Sequence, residues 1–141
     1  YMIDSTSDSI YEAASQGTDS VFANVSGYTL AANTEWLILG ATTVTTGYGN
    51  SLANTLIGNS LANTLDGGSG ADSMVGGVGN DYYIIDSTSD RVYEQSDSVV
   101  NGYDTVYLTI SGYDESLLLN IENIIRLSIP TSGSDALTGW K

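Results

Sequence analysis

Oxygen-bearing side chains recur in this sequence at a fixed interval of nine residues. Asp72, Asp81 and Asp90 form the acidic part of the series, and Asn54 and Asn63 extend it upstream. Glycines precede the first two acids in the same order, as Gly67, Gly68 and Gly70 before Asp72 and as Gly76, Gly77 and Gly79 before Asp81. Carboxylates beside open backbone suit a hard cation. Ca2+ takes roughly six to eight oxygens, at about 2.3–2.6 Å, from carboxylates and main-chain carbonyls. The chain has no His and no Cys, which removes the usual general base, the usual zinc ligands and any disulfide.

The spacing implies the elements that must position these groups. Four nine-residue units run without a gap: GNSLANTLI from Gly49, GNSLANTLD from Gly58, GGSGADSMV from Gly67 and GGVGNDYYI from Gly76. A fifth, IDSTSDRVY from Ile85, keeps Asp90 at the sixth position and Val92 at the eighth, with Asp86 as a further candidate ligand. Each unit divides into a six-residue loop and a three-residue strand. Alternation along the strand turns the eighth residue inward and its two neighbours outward. Leu56, Leu65, Met74 and Val92 are then expected to stack as a narrow apolar core. So thin a core offsets little of the entropy of ordering the chain, and loop-bound ions would supply the difference.

A longer period encloses the short one. YMIDSTSDSIYE at 1–12 recurs as YIIDSTSDRVYE at 83–94, GTDSV at 17–21 as GYDTV at 102–106, VSGY as ISGY, and NTEWLIL at 33–39 as NIENIIR at 120–126. Such tandem arrays bury each unit only against its neighbours.

GGSGADSMV and GGVGNDYYI fit the pattern G-G-x-G-x-D-x-U-x, with U a large apolar residue, at every specified position. The chain therefore resembles the RTX, or haemolysin-type calcium-binding, repeat proteins, closely over 49–92 and more loosely elsewhere. The resemblance implies an all-β fold, a right-handed parallel β-roll or β-solenoid with calcium ions between stacked Gly/Asp loops. It also implies a secreted, extracellular or cell-surface bacterial protein exported by a type I system. Two nonapeptides would make one coil, so each loop stacks on the next but one. Expected ion sites then pair Asp72 with Asp90, Asp81 with Asn63, and Asn54 with Asp72, and three ions would lower the net charge from −14 to −8. The first two units depart from the pattern, with Leu52 and Leu61 at the loop glycine and Asn for Asp. An alternative for them is a metal-free turn whose stacked Asn side chains hydrogen-bond along the axis.

Strand-rich spacers are expected at 1–48 and 94–130 around repeats at 49–93, with SDALTG in 131–141 opening a further block of one continuous solenoid. DSVFANV, EWLILGATTV, DRVYE, DTVYLTI and SLLLNIENII read as strands. Separate hairpins are the alternative. Asp19 and Asp104 are expected to end turns, with ligation the lesser reading. Tyr1 falls in mid-repeat, so the chain is expected to be part of a longer protein.

Seventeen acids against three basic residues argue against nucleic acid and anionic membranes as partners. No apolar run approaches the length of a membrane span. An enzyme is disfavoured, although the parent protein could carry a separate catalytic domain. Alternatives are the rod of an adhesin, surface layer or fibre, self-associating through adjacent repeats, and a glycan-binding surface built from some of the ten tyrosines. Those tyrosines are expected mainly to fill the interior or cover the flanks.

Overall fold

The computed structural model describes residues 1–40, 43–94 and 102–127. The proposed repeat start at 131–141, with Asp135 and Leu137, lies outside them, as do parts of ATTVTT and of 94–130. Twelve short strands form two six-stranded sheets, and every pairing is parallel. The first sheet stacks β1 (Met2–Ile3), β2 (Ser20–Ala23), β4 (Trp36–Leu39), β6 (Thr55–Ile57), β8 (Ser73–Val75) and β10 (Arg91–Val92). The second stacks β3 (Tyr28–Thr29), β5 (Thr46–Tyr48), β7 (Thr64–Asp66), β9 (Tyr82–Ile85), β11 (Thr105–Leu108) and β12 (Asn123–Arg126). The chain passes from one sheet to the other along most of this length, giving a parallel β-roll of about six turns. No antiparallel hairpin occurs among the described residues.

The nonapeptide strands follow the alternation expected of them. In β6, β7 and β8 the central residue is buried and both neighbours are partly exposed. Register shows the coil length directly: Leu56 pairs with Met74 and Leu65 with Tyr83, each 18 residues on. One interior column runs Val21, Leu37, Leu56, Met74, Val92, and the other Gly47, Leu65, Tyr83, Val106. Gly47 is small because a side chain there would meet the methyls of Leu37 and Leu39 at 2.8 and 2.9 Å. The flanking coils carry the same core, with Ile3, Ala23, Leu39, Ile85 and Leu108 buried.

One sequence expectation fails. SLLLNIENII does not run as one strand. A 3-10 turn at Glu115–Leu117, capped by the Asp114 side chain, comes first, and Leu118 plugs the core before β12 begins. The tyrosines, expected in the interior or on the flanks, divide between interior and surface. Tyr83 and Tyr113 are buried, but Tyr11, Tyr93 and Tyr103 stand in solvent, the first at 94% exposure. Tyr107 lies in a strand, stacked on Tyr82 with ring centroids 6.0 Å apart. The roll is two side chains thick, so a ring fits inside only where its hydroxyl can reach a loop, as Tyr83 does.

The 82-residue recurrence has a consequence in space. β1 and β2 lie in the first sheet, while their sequence counterparts β9 and β11 lie in the second. Likewise β4 corresponds to β12 across the roll. The longer period therefore contains an odd number of half-coils, and each copy sits on the sheet opposite its predecessor.

Candidate calcium-binding loops

Each loop ends on its sixth residue immediately before a strand, so strand stacking places these residues in two ladders, one on each side of the roll. On one side Asn54 N–H donates to Asp72 Oδ1 at 2.7 Å, and Asp72 N–H donates to Asp90 Oδ1 at 3.1 Å. On the other, Asn63 N–H donates to Asp81 Oδ1 at 2.7 Å, and Asp81 N–H to Asp104 Oδ1 at 2.8 Å. All six of these side chains are buried. The structure thus brings together the expected pairs Asp72 with Asp90, Asp81 with Asn63, and Asn54 with Asp72.

Within the ladders the Asn and Asp loops differ. Asn50 Nδ2 donates back to the carbonyls of Ala31 and Thr34 at 2.7 and 2.9 Å, and Asn54 Nδ2 reaches Thr34 O at 3.3 Å. Asn59 Nδ2 does the same to Gly40 O and Val44 O at 2.6 and 2.7 Å, with Asn63 Nδ2 behind it. The amide oxygens of Asn54 and Asn63 accept from the N–H of Asn50 and Asn59. An amide nitrogen thus sits among main-chain carbonyls where a cation would otherwise be called for. The alternative considered above had the Asn side chains bonded to one another along the axis; here the Asn50 and Asn59 amides go instead to main-chain carbonyls of the preceding coil.

The Asp loops have no such nitrogen, since their second position is Gly68 or Gly77. Both take positive φ, 73° and 101°, and a side chain on either would lie 2.7–2.8 Å from the carbonyl oxygen of Asn50 or Asn59 in the coil below. Gly70 and Gly79 likewise face the carbonyls of Leu52 and Leu61. Gly67 and Gly76 have no room for a Cβ because their own loop's carboxylate, Asp72 or Asp81, packs against them. Asp72 Oδ2 and Asp81 Oδ2 are buried without a hydrogen-bond partner. Burial pushes both carboxyls up to about 6, against one accepted backbone hydrogen bond that lowers each. For Asp72, the charges of Asp90, Asp86 and Asp66 push the same way. A buried carboxylate oxygen with no partner is costly, and a hard cation satisfies it. The donor set of carboxylates and main-chain carbonyls fits Ca2+.

Asp90 differs from its two predecessors. Its Oδ1 accepts from Asp72 and its Oδ2 from the N–H groups of Asp86 and Ser87, so both oxygens already close the loop. Asp86 is exposed, beside Asp90 and Asp66, and its pKa is raised. Sequence reasoning missed Asp66, which occupies the ninth position that the repeat leaves unspecified. It read Asp104 as ending a turn, and the structure places it buried in register with Asp81; Glu94 and Glu122 were not singled out. The signal was present in D-x-U, since Asp19-Ser-Val, Glu35-Trp-Leu, Asp104-Thr-Val and Glu122-Asn-Ile each lead into a strand as the nonapeptide acids do.

A parallel roll with stacked Gly/Asp loops defines a class of repeat solenoid built around cation-compatible turns. Residues 48–83 match the RTX calcium-binding nonapeptide repeat in four copies, and such repeats bind calcium ions. Neither the curated proteins nor the solved structures compared with the chain contain a match to it. Among the described residues no helix is long and apolar enough to cross a membrane. The chain therefore carries a calcium-binding repeat segment.

Proposed function

We propose that this segment is a calcium-dependent folding module of a secreted bacterial protein, ordered outside the cell after type I export. Asp72 and Asp81 are its principal ligands. The carbonyl-lined turns below Gly68, Gly70, Gly77 and Gly79 complete the coordination, and Asp90, Asp86 and Asp66 add negative potential beside Asp72. The observation that carries this reading is the pair of buried, unpartnered Oδ2 atoms at equivalent places in two consecutive loops, one on each side of the roll. Without an ion, neighbouring carboxylates repel and the loops are uncompensated. With one, binding free energy becomes folding free energy. The low calcium of a bacterial interior would keep such a chain extended for export, and extracellular calcium would order it. The segment itself is structural, and any catalysis belongs to other parts of the protein.

The test is far-UV circular dichroism of the segment through a calcium titration, repeated with Asp72→Ala and Asp81→Ala. A cooperative rise in β signal that chelator reverses is expected. Each substitution should move its midpoint at least about tenfold, or ~1.4 kcal/mol. A segment equally folded in chelator and in calcium would sink the reading.

A second reading rests on the outer face of the second sheet. Thr64, Tyr82, Ile84, Tyr107, Thr109 and Leu127 line a groove of about 410 Å3 there. Stacked tyrosine rings beside threonine hydroxyls suit a sugar ring, and the roll would then serve as an extracellular glycan-contacting rod.

A further inference from the structure

We propose a cation site at the downstream edge of the matched repeats, formed by Asp81, Glu94 and Asp104, in which chain beyond the nonapeptides completes the Asp81 loop. It rests on the reading that Asp81 binds calcium, and it adds ligands that no nonapeptide supplies. One carboxylate oxygen from each of the three residues lies within 4.8 Å of the others. Asp81 and Asp104 belong to stacked loops and are buried, joined by the 2.8 Å hydrogen bond from Asp81 N–H to Asp104 Oδ1.

The independent sign of a ligand is the orphaned Asp81 Oδ2. That atom and the Tyr83 hydroxyl crowd the same point beside Gly76, and the Tyr83 hydroxyl donates to Glu94 Oε1. The unpartnered oxygen is therefore turned toward the Tyr83–Glu94 side of the loop. Glu94 is held at both ends, its carboxylate by Tyr83 and its carbonyl by Asn120 Nδ2 at 3.1 Å. Three carboxylates drawn together in this way repel unless a cation lies between them, and they offer three to six of the roughly six to eight oxygens that Ca2+ takes.

The arrangement recurs in the other copy of the long repeat. Tyr1 donates to Glu12 as Tyr83 does to Glu94, and Asn33 Nδ2 holds the Glu12 carbonyl at 2.9 Å as Asn120 holds that of Glu94. Asp19, the counterpart of Asp104, accompanies this pair and also has a buried Oδ2 without a partner. The latched glutamate is thus a property of the long repeat, separate from the Gly-rich loops.

Equilibrium dialysis against calcium tests the site in the whole segment, with Glu94→Gln, Asp104→Asn and, as control, Glu115→Gln, whose carboxylate pairs with Arg126. The first two should each bind one calcium ion fewer per chain than the parent, and the control should bind the parent's number. Tyr83→Phe keeps the core ring and removes only the latch. It should weaken the same ion about ten- to hundredfold, as loss of a ligand's hydrogen-bond partner does. This variant decides the matter should the charged variants fail to fold. Unchanged stoichiometry and affinity in Glu94→Gln and Tyr83→Phe would overturn the site while leaving Asp72 intact as a ligand. A parent segment that binds no calcium would instead remove the reading beneath it.

Discussion

The Asn turns of 49–63 and the Asp turns of 67–81 share one nonapeptide, one coil length and one pair of sheets, yet solve the same electrostatic problem differently. In the first, Asn50 and Asn59 bring an amide nitrogen to carbonyls of the preceding coil, and every hydrogen bond is made within the chain. In the second, Gly68 and Gly77 leave that place empty of side chain, and Asp72 and Asp81 keep an unsatisfied oxygen. A position-two Asn and a position-two Gly therefore separate turns whose side-chain amides pair with main-chain carbonyls from turns that keep a buried carboxylate oxygen without a hydrogen-bond partner. The difference teaches that the array is graded along its length, with amide-bonded turns first and turns holding an unpartnered carboxylate after them.

Turning the Asp turns into Asn-like ones should give the largest break. Asp72→Asn together with Asp81→Asn removes two buried carboxylates and keeps their shape. In chelator the double variant should be more stable than the parent by about 2–6 kcal/mol, the relief of two uncompensated buried groups. In saturating calcium it should be less stable than the parent. Urea denaturation under the two conditions would show the two orders cross, and parallel shifts in both would refute the distinction between the turns.

Acid should act in the same direction, more weakly. The folded-state pKa of Asp72 and Asp81 is raised to about 6 from 3.8. Between those values the folded chain holds more protons than the unfolded one, so metal-free stability is greatest at the acid end and falls as pH climbs through about 6. Calcium binding follows the opposite slope, because it requires both carboxylates ionised. Thermal melts from pH 4 to 8, with chelator and with calcium, check both slopes, and a metal-free Tm that rises with pH would contradict the assignment.

The smallest effect belongs to the Asn turns. Asn59→Ala leaves the Gly40 and Val44 carbonyls without that donor and should cost about 1–3 kcal/mol. The loss should be equal with and without calcium. A loss that appeared only in chelator would mean that an ion can replace the amide, and the two kinds of turn would then be interchangeable.

Much of this was legible in the sequence. The nonapeptide fixes both the inward eighth residue and the loop that precedes it, and Leu56, Leu65 and Met74 lie where that rule puts them. Asp104 and Glu94 were obscured because the coil from Tyr82 to Thr105 takes 23 residues, five more than the repeats, so the nine-residue count loses register there. Asp66 was invisible for a different reason: its importance comes from the turn across the roll, and nothing in its own unit marks it. The exchange of sheets between long repeats was equally hidden, since strands of either sheet obey the same alternation.

That exchange gives the molecule two unlike directions of display. Phe22, on the outside of the first sheet, corresponds to Tyr107 on the outside of the second. Whatever one copy of the long repeat offers to its surroundings, the next offers on the reverse side. Two copies in one chain consequently present matching outer residues on opposite faces, like a strip printed once on each side.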